Sequence, residues 1–349
     1  MRDGIEIRRE RRAGPSGTEL VWTVLIIEPQ IRPRLCLDPR FSDQGIVRGG
    51  PLLDLAATES LWGEAPGIRP EDWLAAEDPG TIGFCPTNWG WQFGAWLVEG
   101  HRLRGLRDDA PPSDPLWMLS WSPDRGWHQS IKELGSPLEL PYLGLEMPQI
   151  LDAGACLPLE AFLSHPRMLA DLRNVFDFAD GCGPDLDPKF WVELRRRLPA
   201  TSEAAHTLLA GGSLRVNVDS AVTGVGELFR LVEEANLPGV QARAGALIFT
   251  GPLPKARLPL FAIGARQEGA LVVVAIDGRQ TGVPGGTIEE AAALLRDHGA
   301  YTGGLGSAGG DVCLVERTSG GMDYLNTPST LGAGPAERVS RRVPSLILI

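Results

Sequence analysis

The sequence predicts an α+β fold: a mixed β-sheet core interrupted by a helical insertion. Three observations carry that prediction. Runs of β-branched and apolar residues, bounded by glycine, proline and polar turns, recur in both the first and the last thirds of the chain. Between residues 136 and 234 the texture changes, with helical candidates at 158–177, 188–198 and 225–235. Residues 271–300 read as strand, polar loop and helix in direct succession. The expected organisation is therefore 1–135 and 235–349 as two parts of one core, with 136–234 inserted between them.

Bulk properties narrow the classes. A chain of 349 residues with 43% apolar content can bury a large core. Its 33 basic and 44 acidic residues give a formal charge of -11, which argues against general affinity for nucleic acid or an anionic membrane. The first apolar run, 20–27, is broken by Trp22 and Thr23, so neither a secretion signal nor a membrane span is expected. Five cysteines, Cys36, Cys85, Cys156, Cys182 and Cys313, lie far apart and never as CxxC. That spacing suggests no disulfide framework, no metal site and a reducing cytoplasm. His165 and His206 have no partner at helical spacing and read as polar or surface residues.

In chain order, residues 18–38 read as two strands turning at Glu28-Pro29-Gln30. Short helices are expected at 51–61 and 70–76. Residues 83–103 hold Trp89, Trp91 and Trp96, whose faces suit either a flat ligand such as a sugar or the core. A hairpin is expected in 115–131 with Pro123-Asp124-Arg125-Gly126 as its turn, and His128 beside Trp127 reads as structural. Within the insertion, Arg195-Arg196-Arg197 reads as the solvated basic end of a helix. Strands resume at 213–218 and 246–250.

The unit at 271–300 is the clearest. Residues 271–276, LVVVAI, suit a strand buried on both faces, and the chain turns polar at Asp277. Gly278 and Pro284-Gly285-Gly286 punctuate a loop bearing Asp277, Arg279, Gln280 and Thr281, a natural position for a site beyond a strand end. Thr287 with Glu290 three residues on forms a capping box, Ile288, Ala291, Ala292, Leu294 and Leu295 form an apolar stripe, and Gly299 closes the helix. Asp277 and Arg279 could alternatively pair with each other to close the turn, with Thr287 and Glu290 only capping.

The strand ending in Asp277-Gly278-Arg279 and the T-x-x-E helix after it resemble the phosphodiester glycosidase family, which includes the mannose-phosphate uncovering enzyme. Asn88-Trp89-Gly90-Trp91 resembles the family's NGGFF segment, 257–264 its R-x-P-R-T-A-x-G segment, 305–310 its LDGGGS segment, and Glu337-Arg338 its terminal ER pair. The resemblance implies a site in which Asn88, Asp277 and Arg279 act catalytically, with Asp277 as acid, base or holder of a cationic group. It also implies a small-molecule or carbohydrate-type ligand contacted by Trp89, Trp91, Thr287, Glu290, Asp311 and Arg338. Arg279 suits phosphate or carboxylate through its two-pronged fork. No cofactor is expected.

The pattern also departs from the family. Trp89 replaces a glycine, Leu260 and Phe261 stand where the family has arginine and threonine, and Gly306 stands where it has an aspartate. Glycoside cleavage needs a pair of carboxyl groups flanking the bond, and Asp311 is the nearest substitute. Two readings follow: an enzyme with a rebuilt site acting on a glycoside, a sugar phosphodiester or another small metabolite, or an inactive scaffold binding a ligand, with the insertion as the surface for a protein partner.

Overall fold

The computed structural model describes residues 4–14, 17–37, 68–86, 96–98, 101–103, 116–132, 143–165, 172, 175, 194, 197–198, 201–218, 225–235, 239–251, 257–331, 338–343 and 345–349. Asn88, Trp89, Trp91 and Glu337, the helix expected at 51–61, and most of those expected at 158–177 and 188–198 lie outside them. Among the described residues the architecture is β-rich, 46% strand against 20% helix. Two compact units are present, one made of Met1–Leu159 with Leu258–Ile349 and the other of Glu160–Arg257.

The larger unit is built on a seven-stranded antiparallel sheet in the order Ile5–Ala13, Glu19–Ile27, Leu271–Ile276, Leu260–Ala265, Thr302–Ala308, Gln149–Asp152, Ala155–Cys156. Leu271–Ile276 lies inside it, and all six of its residues are buried. Continuous apolar runs of this kind usually mark parallel strands. Here an antiparallel strand needs one because both its faces are covered. Leu271, Val273 and Ala275 join the main core, and the helix Ile288–Asp297 packs against this strand and its neighbours. Each buried Val, Ile or Leu contributes about 1.5–3 kcal/mol, so covering both faces is a large part of the unit's stability.

The main core also draws on two five-stranded sheets. One runs Gly321–Tyr324, Leu314–Thr318, Ile82–Phe84, Ser345–Leu348, Arg34–Leu37, and supplies Phe84, which stacks on Phe261 at 5.5 Å. The other runs His101–Leu103, Trp96–Val98, Gly144–Glu146, Leu116–Ser122, Gly126–Lys132. Its last two strands are the expected hairpin, turning at residues 123–125, and they bury Trp117, Trp121 and Trp127 in the core. His128 is half-buried, its Nδ1 3.0 Å from the Gly126 carbonyl oxygen, which is a structural role.

Two differences from the sequence reading matter for the site. Ile5–Ala13 is a strand paired along its whole length with Glu19–Ile27, although most of its residues are charged. It is an edge strand, where charged side chains keep solvent contact and discourage pairing with other chains. Arg34–Leu37, the second strand of the expected 18–38 pair, does not pair with Glu19–Ile27 but joins the other sheet beside Ser345–Leu348. The chain crosses between layers at residues 28–33.

The smaller unit is not helical throughout. It holds the helices Ser202–Leu209 and Val225–Ala235 and a three-stranded sheet with Ala246–Thr250 between Ser213–Asn217 and Val240–Arg243. Thr201 caps the first of these helices by accepting from the Ala204 amide at 3.2 Å.

Candidate functional site

The polar loop after Leu271–Ile276 begins where the Asp277 amide still donates to the Val21 carbonyl at 2.9 Å, so the residue is held at the sheet's end. Its side chain is 2% exposed. One carboxylate oxygen, Oδ2, accepts from Arg9 Nη2 at 2.7 Å, and the other, Oδ1, accepts from the Thr327 amide at 2.9 Å. Arg9 also donates to the Leu325 carbonyl and to Thr327 Oγ1, and Thr23 Oγ1 donates to the same carbonyl at 2.6 Å. The carboxylate thus ties the edge strand to the 325–327 turn. Burial pushes its pKa up, while the Thr327 amide, Arg9 and Asn326 pull it back down. The partner of Asp277 is therefore Arg9, not Arg279.

Asn326 supports the same corner. Its Oδ1 accepts from the Leu314 amide at 2.6 Å and its Nδ2 donates to the Val312 carbonyl, so the turn is fastened to the segment leaving Thr302–Ala308.

Arg279 takes another path. Its φ of 55° puts an L-residue in the left-handed region, a backbone that only a constrained loop maintains. The constraint is visible: the Arg279 amide donates to the Pro284 carbonyl, and Gln280 and Val283 close a tight turn between them. Arg279 is exposed, yet its guanidinium lies against Gly309, where an added Cβ would stand 3.4 Å from both Nη atoms. Gly309, itself at φ 65°, opens a short 3-10 turn, Gly309–Asp311, at the end of Thr302–Ala308. The DGR loop and the glycine-rich segment are therefore neighbours.

Asp311 is fully buried and forms an ion pair with Arg341 at 3.4 Å. A Cβ on Gly310 would meet Thr330 Oγ1 and the Arg341 stem, which places that arginine over the turn. Arg338 donates from Nη1 to the Ser329 carbonyl at 3.1 Å and lies in the two-stranded pairing of Thr330–Leu331 with Arg338–Val339. Arg279 and Arg341 thus lie at the Gly309–Asp311 turn, with Asp311 the buried carboxylate among the described residues of that turn, while Arg338 is held in the Thr330–Leu331 pairing. Such a fork-rich corner suits an anion.

Thr287 and Glu290 form the capping box that their spacing calls for. Thr287 Oγ1 accepts from the Glu290 amide at 3.2 Å, and Glu290 Oε2 accepts from the Thr287 amide at 2.9 Å. Arg12, lying over the Trp22 ring at 5.8 Å, approaches Glu290 at 4.0 Å. Among the described residues, no three His, Cys, Asp or Glu side chains are grouped to hold a metal ion.

The position resembling the family aspartate is closed. An added Cβ at Gly306 would stand 2.7 Å from the Pro86 carbonyl oxygen, a backbone atom, and Ser307 Oγ donates to the adjacent Cys85 carbonyl. Leu260 and Phe261 are both buried in the sheet.

No protein-family model and no curated protein sequence matches the chain. Among solved structures it is similar to the catalytic domain of zebrafish N-acetylglucosamine-1-phosphodiester α-N-acetylglucosaminidase, auto-inhibited by its pro-peptide. The TM-score is 0.50 at 12% identity, over 99% of this chain and 82% of that one. The likeness is one of fold. A hypothetical protein from Synechocystis gives a TM-score of 0.41 at 10% identity, over 99% of this chain and 62% of that one. An exported-protein candidate from Burkholderia pseudomallei gives 0.41 at 13%, over 97% and 75%. Among the described residues, no helix is long and apolar enough to cross a membrane.

Arg9, Thr327, Asn326 and Arg341 escaped the sequence reading. The available signal for Arg9 was alternation in 5–13, where Ile5, Ile7 and Arg9 share a face, but a run of arginines and glutamates masks it. Asn326, Thr327 and Arg341 carry no local signal.

Proposed function

We propose that the chain is a ligand-binding member of the phosphodiester-glycosidase-like fold, taking a small anionic ligand of the sugar-phosphate class at the corner formed by Arg279 and the Gly309–Asp311 turn. The observation that carries this reading is the closure at Gly306: a second carboxyl group there would collide with the Pro86 carbonyl, so the pair that glycoside cleavage requires is not assembled at that position. Asp277 supports it, since both of its oxygens are already engaged by Arg9 and Thr327. Asn88, Trp89 and Trp91 belong to this reading as the aromatic and amide contacts for the sugar.

A second reading, an enzyme with a rebuilt site, draws on one observation. Burial raises the Asp277 carboxyl, the direction that makes a carboxylic acid a proton donor near neutral pH. The two readings separate in one experiment. Wild type, Asp277→Asn and Arg279→Ala, each checked by circular dichroism, are assayed for hydrolysis of a sugar-phosphodiester panel and, by calorimetry, for binding of hexose phosphates. The binding reading expects no turnover and an affinity at least about tenfold weaker in Arg279→Ala, the loss of one charge-assisted fork. Turnover by the wild type that disappears in folded Asp277→Asn would replace it with the enzyme reading.

A further inference from the structure

We propose that Cys85 and Cys313 form a covalent modification site, a disulfide that closes when the chain folds in the presence of a disulfide oxidant. The two residues are remote in sequence, and the fold brings them into one buried apolar cluster. Leu314–Thr318 and Ile82–Phe84 pair antiparallel, with Leu314 opposite Phe84, Val315 opposite Gly83 and Glu316 opposite Ile82. The ladder ends at Leu314 and Phe84, and continuing its register by one residue would bring Cys313 opposite Cys85. At the far end of the ladder the Arg317 amide donates to the Thr81 carbonyl at 2.8 Å, so the two segments stay in register there. Directly opposed residues of an antiparallel pair lie about 4.5–5.5 Å apart between Cα atoms. Disulfides span about 4.4–6.8 Å between Cα atoms.

Side-chain direction agrees. Leu314 and Phe84 belong to the main core, whereas Cys85 and Cys313 point to the other face of the sheet. There they share one apolar cluster with Leu74, Val315, Val343, Leu346 and Leu348. Both are thiols in this structure and both are at most 1% exposed. Burial pushes the Cys313 thiol well up, and Cys85 is one of the groups whose charge it feels, as adjacency requires.

The chemistry is thiol–disulfide exchange with a low-molecular-weight disulfide such as oxidised glutathione. One protein thiolate attacks that disulfide and releases one glutathione thiol. The second protein thiolate then attacks the protein-side sulfur of the mixed disulfide and releases the other. The protein loses two electrons and two protons, and two reduced glutathiones carry them away. Burial and a raised thiol pKa make the folded pair slow to react, so closure belongs to the folding reaction or to transient opening. The bond would lie under the candidate site. Cys85 precedes Pro86, whose carbonyl underlies Gly306, and Cys313 lies two residues past Asp311. It would also close a long loop, the case in which a cross-link restricts the unfolded chain most.

The test uses the full chain, reduced and denatured, then refolded in a glutathione redox buffer or in excess reductant. Free thiols are alkylated and proteolytic fragments read by mass spectrometry. The expected result is a cross-linked peptide holding Cys85 and Cys313, a fall from five alkylatable cysteines to three, and a Tm several degrees above that of the reduced protein. Cys85→Ser and Cys313→Ser should each keep all four remaining thiols. Incubating the native chain with oxidised glutathione in urea below the unfolding midpoint gives the same readout without refolding. Five alkylated cysteines after both treatments, with native circular dichroism, or cross-links running to Cys36, Cys156 or Cys182 instead, would overturn the proposal.

Discussion

Two polar groups in one short stretch of chain are held in opposite ways. Glu290 finds its partner in Thr287, three residues away, and the exchange of two hydrogen bonds is complete within one turn of helix. Asp277 finds its partners 268 and 50 residues away, in the edge strand and in the 325–327 turn. The first arrangement is a property of the local chain and exists wherever that helix starts. The second exists only when three separate segments have been brought to one corner of the sheet. Locally encoded polar groups therefore build the scaffold here, and tertiary ones build the candidate site.

The position most sensitive to that distinction is Gly306, where an absent side chain decides what the corner can do. Gly306→Asp restores the residue type of the resembled family and places its Cβ within 2.7 Å of a backbone carbonyl oxygen, with a carboxylate in a fully buried strand. Crowding and an unsatisfied charge together should cost about 3 kcal/mol or more in urea unfolding. A variant as stable as the wild type would mean that the Pro86 segment yields, and that the site is one substitution from a second carboxylate.

A matched pair of truncations comes next. Asp277→Ala leaves the Thr327 amide and Arg9 without their acceptor, and should cost about 2 kcal/mol, part of the ion pair being discounted because the Arg9 side chain is 46% exposed. Thr287→Ala removes one cap interaction and should cost about 1 kcal/mol. Hydrogen exchange sharpens the contrast. The first variant should raise exchange at residues 325–327 and in the edge strand, the second only in the first turn of Ile288–Asp297. Equal and purely local effects would remove the difference between the two kinds of anchor.

The same difference decides what could be read in the sequence. The strand, loop and helix of 271–300 were legible because each depends on neighbours: an apolar run long enough to bury two faces, glycines where the loop turns, and a cap three residues from its partner. The 123–126 turn was legible for the same reason. The edge strand Ile5–Ala13 was not, because its stability comes from backbone pairing with Glu19–Ile27 and its outward charges hide the alternation. The ion pairs of Arg9 with Asp277 and Arg341 with Asp311 join residues that no spacing rule connects. Asp311, the carboxylate that follows Gly306 in sequence, sits in a 3-10 turn, fully buried against Arg341. The proximity of Arg279 to Gly309 depends on a left-handed arginine, a conformation set by the loop as a whole and not by the residue.

The smallest expected effect is on the pH dependence of stability. Burial raises the folded-state pKa of Asp277 above its ordinary value of 3.8, against the opposing pull of the Thr327 amide and Arg9. A carboxyl group raised on folding holds its proton more tightly in the native state than in the unfolded chain. Its contribution to stability is therefore fully present below the ordinary value and is lost as pH rises through the folded-state value. Urea unfolding of the wild type and of Asp277→Asn, compared across the acidic range, should show the wild type losing ground to the variant as pH rises through that window. Arg9→Gln removes one of the groups pulling the pKa down, so the window should extend to higher pH in that background. A wild type that instead gained on Asp277→Asn with rising pH would show the opposite balance, with Arg9 and Thr327 outweighing burial and the corner built to hold a carboxylate charged, not to keep a proton on it.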